Sequence, residues 1–210
     1  MSVSPQTRPK TSNPRRETIA LMVPRESGLC ASPKAFWRLC VANPDLRLER
    51  TDRGEVIVMA PAGSDTGWRN GKLTMRLGNW SDADGTGEFF DSSTGFTLPN
   101  GAVRSPDASW IVRDRWLAVS PADRKRFSPI SPDFVVEILS PSDTLDDARE
   151  KMCEYIAQGV RLGWLLDPKS GLVEIYRTGQ PVESLDRPAT LSGEEVLPGF
   201  VLDLQGILFD

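Results

Sequence analysis

The stretch "SPDFVVEILSPSD", residues 131–143, constrains this chain more than any other. Phe134, Val135, Val136, Ile138 and Leu139 form an apolar, largely β-branched run that reads as a buried β-strand. Asp133 opens the run and Glu137 interrupts it. A carboxylate in a strand core is costly unless it is paired or bound to a metal. Glu137 therefore faces water at an edge, pairs with a basic side chain, or serves a chemistry that needs it there.

The rest of the composition narrows that chemistry. With 210 residues, 39% of them hydrophobic and 26% charged, the chain can bury one full core. The reading is one domain over residues 25–210 behind a Pro-, Ser-, Thr- and Arg-rich tail over 1–24 that lacks periodicity. No apolar stretch approaches the roughly 20 residues that span a bilayer, and "ETIALMVP" is too short for a signal segment, so the expected partner list has no membrane and the expected location is cytoplasmic. Cys30, Cys40 and Cys153 form no C-x-x-C pair, which leaves them as reduced and mostly buried residues. There is no histidine, and so no Ser-His-Asp or Cys-His catalysis and no histidine-ligated zinc. Acid–base or metal chemistry must come from carboxylates and lysine, and hard oxygen ligands favour Mg²⁺ or Mn²⁺. The net charge of −4 argues against a protein that coats nucleic acid, although "RPKTSNPRR" and "DRKRF" are local basic stretches.

Along the chain, "SPKAFWRLCVANP" predicts a short helix ended before Pro44, and "LRLERTDRGEVIVMAP" a β-hairpin. Trp68, Leu73, Leu77 and Trp80 predict a helix over 65–80 despite Gly71 and Gly78. "GEFFDSSTGFTLPNG" and "AVRSPDASWIV" read as two successive strands, and "DRWLAVSPADRKRF" as a loop or helix. After the opening strand, "SPSDTLDDAREKMCEYIAQG" predicts a helix capped at Ser142 or Asp143 with Leu145, Ala148, Met152 and Ile156 on its apolar face. "RLGWLLDP" and "GLVEIYR" are strands that pair across "DPKSG".

Asp133 and Glu137 share a strand face but stand about 13 Å apart, too far to share a metal. A partner for Glu137 must come from across the sheet, and the donor is the other Pro-Asp, in "RSPDASWIV". If the two strands are neighbours in register, Asp107 and Glu137 converge and repel unless a cation lies between them. Asp133 is then structural. A phosphodiesterase of this kind also needs a group near the attacking water; Lys151 and Arg149 flank the apolar face of the following helix, and periodicity does not choose between them.

These residues carry a resemblance. "DLRLERTDRGEVIVMAP", "TGWRNGKL", "FFDSSTGFTLPNG", "RSPDASW", "PDFVVEILSPSD", "KMCEYIAQGVRLGWLLDP" and "LPGFVLDL" occur in the order of the Uma-two family, a bacterial branch of the PD-(D/E)XK nuclease superfamily, over residues 30–210. The resemblance implies an α/β (α+β) fold with a restriction-endonuclease-like core, a mixed central sheet flanked by helices, preceded by an N-terminal helix and hairpin. It implies a Mg²⁺- or Mn²⁺-dependent endonuclease acting on DNA, with metal on Asp107, Glu137 and the Ile138 carbonyl. The superfamily's lysine normally lies two residues beyond the second acid, where this chain has Leu139; the resemblance favours Lys151 on the next helix over Arg149. Asp65, at the start of the first core helix, matches a further acid of related nucleases, and a homodimer is compatible with cutting two strands. The rivals are a nuclease fold that binds DNA or protein without cutting, a structural domain in which Glu137 pairs with Arg104 or Arg161, and a glycosidase built on the acid pair.

Overall fold

The computed structural model describes residues 30–209. The tail expected over 1–24, with its basic stretch, lies outside the described residues. Ser32 caps the first helix, α1 (Pro33–Ala42), its Oγ accepting from the Ala35 amide at 3.3 Å. The alternating segment that follows forms the hairpin β1 (Arg47–Arg50) and β2 (Val56–Met59), with Arg50 opposite Val56 and Arg47 opposite Met59. The next helix, α2 (Ser64–Asp84), runs past the boundary predicted near residue 80 and stops at Gly85, whose φ of 71° is the left-handed C-cap conformation. Gly78 is required inside it because a Cβ there would lie 2.8 Å from the Phe89 ring.

The two long strands predicted over 87–98 and 102–112 are each broken in two. They form β3 (Gly87–Asp91), β4 (Phe96–Thr97), β5 (Val103–Arg104) and β6 (Ala108–Val112). Asp91 turns the chain after β3, its carboxylate accepting from the Ser93 amide at 3.0 Å. Pro106, which has no N–H to give a ladder, separates β5 from β6. Short α3 (Arg113–Ala118) and a 3-10 turn at Asp123–Lys125 lead to the opening strand, β7 (Phe134–Ile138). Then come α4 (Leu145–Ala157), β8 (Leu162–Asp167), β9 (Leu172–Arg177), β10 (Glu183–Asp186), β11 (Thr190–Ser192) and β12 (Val201–Asp203). The cap of α4 is Thr144, whose Oγ1 accepts from the Asp147 amide at 3.1 Å, rather than Ser142 or Asp143; the Asp143 carboxylate instead accepts from the Ser140 amide.

The central sheet has six strands in the order β10-β9-β8-β7-β6-β3. Only β7 and β8 are parallel, as the crossover through α4 requires, so the sheet is mixed. Phe134, Val136 and Ile138 pack on one face against Leu73 and Leu77 of α2 and the C-terminal Leu202, Leu204 and Ile207. Val135 packs on the other face against Met152 and Tyr155 of α4, and Gly163 lets that helix close in, since a Cβ there would meet Met152 Cε at 2.5 Å. A second sheet, β2-β1-β5-β4, is covered by α1 through Phe36, Leu48, Val56 and Val103. This is the α+β architecture expected, with helices on both faces of a mixed sheet. The three cysteines are free, but Cys30 and Cys153 are exposed and Cys40 half-buried, against the expectation of burial. Among the described residues no helix is long and apolar enough to cross a membrane.

Candidate active site

Ala108 pairs with Val136 and Ser109 with Val135, so the next position outward sets Asp107 opposite Glu137. The convergence follows from register alone. Asp107 Oδ2 accepts from the Ile138 amide at 2.8 Å, and its Oδ1 accepts from Asn70 Nδ2 at 2.9 Å. The first acid is thus locked to the end of the strand that carries the second. Asp133, at the other end of β7, is 1% exposed; it accepts from the Val112 amide at 3.0 Å and pairs with Arg115 at 2.8 Å. Its role is to fasten the strand's start.

Glu137 projects towards α4, where Lys151 Nζ lies 2.8 Å from its Oε1 and the Tyr155 hydroxyl donates to the same oxygen at 2.9 Å. Among the described residues no hydrogen bond falls on Oε2. Lys151 and Tyr155 are one helical turn apart and so act from one side. Arg149, the other basic residue flanking the helix face, turns to β9 and makes a two-nitrogen contact with Glu174 at 2.5 and 3.0 Å. Arg104 and Arg161, the partners a purely structural role gave Glu137, bind Glu49 and Glu154, and Asp133, respectively.

Two residues that sequence reasoning did not single out complete the cluster. Glu49 of β1, 3% exposed, binds Lys151 Nζ at 3.0 Å, Arg104 at 3.1 Å and the Ser105 amide at 2.9 Å. Hairpin alternation puts Glu49 on the face opposite Leu48, but alternation says nothing of what covers that face. Asn70 is the α2 residue that reaches Asp107, and its Oδ1 is buried without a hydrogen-bond partner. Asp65 does not take that place. It lies about 140° around the helix from Asn70, its side chain is 71% exposed, and it pairs with Arg69 at 3.0 Å, which in turn donates to the Ile207 carbonyl.

The electrostatics are those of a cluster with surplus acid. Burial, then Asp107 and Glu49, raise Glu137 to about 7, with Lys151 opposing. Burial likewise raises Asp107, against the Ile138 amide, Lys151 and Asn70. Burial would raise Glu49 too, but Lys151 and Arg104 outweigh it and hold that carboxyl below its usual range. Burial works against the charge on Lys151, yet Glu137 and Glu49 keep its pKa above the ordinary lysine value. Glu49, Asp107, Glu137 and Glu154 thus share Lys151 and Arg104.

A hard divalent cation fits this donor set. Its charge would offset the burial that raises both Asp107 and Glu137 and the repulsion from Asp107 and Glu49 that adds to it at Glu137, and the free Oε2 and orphaned Asn70 oxygen are hard donors of the matching kind. Among the described residues no group of three or more Asp, Glu, Cys or His stands ready for a metal. Two carboxylates suit Mg²⁺, which keeps several of its waters. Beside Asn70 opens a cleft of about 570 Å³ lined by Arg47, Gly71, Thr74, Phe89 and Ser92.

No curated protein matches the chain. A crystal structure of a "putative nuclease belonging to DUF820" from Anabaena variabilis ATCC 29413 superposes with a TM-score of 0.70 at 19% identity, covering 85% of this chain and 97% of that one. It shares the fold. The DrdV–DNA complex overlaps 55% of this chain and 9% of its own, at 16% identity and a TM-score of 0.36, a correspondence too partial to equate the folds. The model of the family described as "Putative restriction endonuclease" matches residues 33–205, from the first helical residue to the turn after β12, and that span contains every acid, lysine and amide of the cluster: the chain belongs to the Uma2 family.

Proposed function

We propose that the protein is a divalent-metal-dependent endonuclease that hydrolyses DNA phosphodiester bonds. The observation that carries the reading is the meeting of Asp107, Glu137 and Lys151 at one end of β7, within a chain of a nuclease-like family. Asp107, Glu137 and the Ile138 carbonyl would hold Mg²⁺ or Mn²⁺. When bound, that ion polarises the phosphate and lowers the pKa of a water.

The chain's own groups do the rest. Lys151, charged and 2.8 Å from Glu137, orients the attacking water or stabilises the added negative charge on phosphorus. Glu49, itself held by Arg104, keeps the lysine from swinging away, and the Tyr155 hydroxyl fixes the rotamer of Glu137. Asn70 aims Asp107. The ion pair between Lys151 and Glu137 supports a cutting site over an inert one, because it sets a lysine beside the second acid although residue 139 is a leucine. Cutting both strands of a duplex needs two such sites, and we propose a homodimer as the acting form.

Calorimetric titration with Mg²⁺ and Mn²⁺, wild type beside Glu137→Ala, tests the reading together with cleavage of a supercoiled plasmid. Wild type should bind and cut; Glu137→Ala and Asp107→Ala should each lose binding and at least about 100-fold in cleavage rate while folding normally. Cleavage at the wild-type rate by either variant would remove the assignment.

A further inference from the structure

The basic residues around α3 and the turn after it fall into three groups. Arg113 and Arg115 are neutralised, by Glu88 at 3.3 Å and Asp133 at 2.8 Å. Arg124 is turned inward, donating to the Val119 and Leu117 carbonyls over the Trp116 ring at 4.9 Å. Lys125 and Arg126 are exposed, and among the described residues neither is in an ion pair.

Arg126 lies 5.5 Å from the ring centroid of Trp37 on α1, and that ring meets Phe127 edge-on at 5.3 Å. The contact brings the turn against a helix whose exposed face carries Lys34 and Arg38, also unpaired among the described residues. These two are one turn apart, and like charges at that spacing repel. The helix has no acid to offset them. Four exposed cations thus lie on the helix that carries Trp37 and on the turn that meets it, in a chain whose net charge is −4.

We propose that Lys34, Arg38, Lys125 and Arg126 form a binding site for the sugar-phosphate backbone of duplex DNA, separate from the metal site. The inference rests on the nuclease reading for its choice of polyanion. An acidic protein is repelled by DNA except where cations are concentrated, so affinity has to reside in a patch. The contact with the Trp37 ring restrains the Arg126 side chain, which stays exposed to solvent. The patch is joined to the acid cluster through the second sheet. Thr97 of β4 binds the Phe127 carbonyl through its hydroxyl at 3.0 Å, and β4 pairs with β5, which carries the Arg104 of the acid cluster.

The test is the salt dependence of binding to a fluorescein-labelled duplex, followed by anisotropy in EDTA so that nothing is cut. Removing one phosphate-binding cation should lower the slope of log K against log salt by about 0.9, so K34A/R38A/K125A/R126A should lower it by about 3.6 and weaken binding more than about 10-fold at 100 mM salt. Magnesium affinity, measured by calorimetry, should stay at the wild-type value. The double variant K125A/R126A should show about half the change, and it covers the case in which the quadruple variant does not fold. A slope within one unit of wild type in a folded quadruple variant overturns the proposal, as does wild-type binding to polyglutamate as tight as to the duplex. Patch-dependent duplex binding by a protein that cuts no DNA with Mg²⁺ or Mn²⁺ would uphold this site and refute the nuclease reading instead.

Discussion

Lys151 is held by carboxylates from two sheets, Glu137 at 2.8 Å and Glu49 at 3.0 Å, and its ammonium is therefore a fixed point rather than a swinging arm. Lys151→Ala should lose about 100-fold or more in cleavage rate with little change in metal affinity, a split that separates a group acting on water or phosphate from a metal ligand. Equal losses in both would place the lysine in a merely structural role. Glu137 gives a pH prediction. Its carboxyl titrates at about 7 in the folded metal-free protein against an ordinary value of 4.5, so the folded state takes up the proton more readily than the unfolded one. Its contribution to stability is full below the ordinary value and is lost as pH rises through about 7. Melting in EDTA should show wild type losing stability between those limits relative to Glu137→Gln, and Mg²⁺ should restore it at high pH. A difference between the two proteins that does not vary with pH would contradict this. The acid pair was legible in the sequence because the segments after Pro106 and Pro132 both read as strands, and Asp107 meets Glu137 once those strands are neighbours in the register observed. Glu49 and Asn70 were not, because their contacts join residues 102 and 37 positions apart through the docking of a small sheet and a helix that no local pattern specifies.

At the scale of elements, the fold is readable wherever periodicity runs unbroken. The hairpin, α1 and α4 follow it to within a residue or two, and the parallel strand after α4 stands where a crossover must place it. The strands over 87–112 are shorter than their apolar pattern implies because Asp91 and Pro106 act as breaks, and those breaks let β4 and β5 leave the central sheet for the sheet of β1. That departure brings Arg104 and Ser105 against Glu49. Two further expectations follow here. Thr144→Ala removes the one side-chain cap of the helix that carries Lys151 and should cost about 1 kcal/mol in urea unfolding. Gly78→Ala, although a better helix former, should destabilise by more than the helix propensity gains, because its methyl would lie 2.8 Å from Phe89; a more stable variant would mean that the ring yields freely.

At the scale of the molecule, one chain would carry one of the proposed metal sites, so duplex cleavage through the proposed homodimer should rise more steeply than linearly with protein concentration, with nicked plasmid accumulating at low concentration. Double-strand cuts proportional to protein throughout, without a nicked intermediate, would require another explanation. The bond from Lys151 to Glu49 spans 102 residues of sequence, and that from Ile138 to Asp107 spans 31. The lysine meets Glu137 through the packing of α4 on the sheet, and meets Glu49 only where the N-terminal hairpin docks beside that helix. The proposed cutting centre therefore exists only in the assembled fold: a chain that lacks either the N-terminal hairpin or α4 carries the acid pair without the clamped lysine.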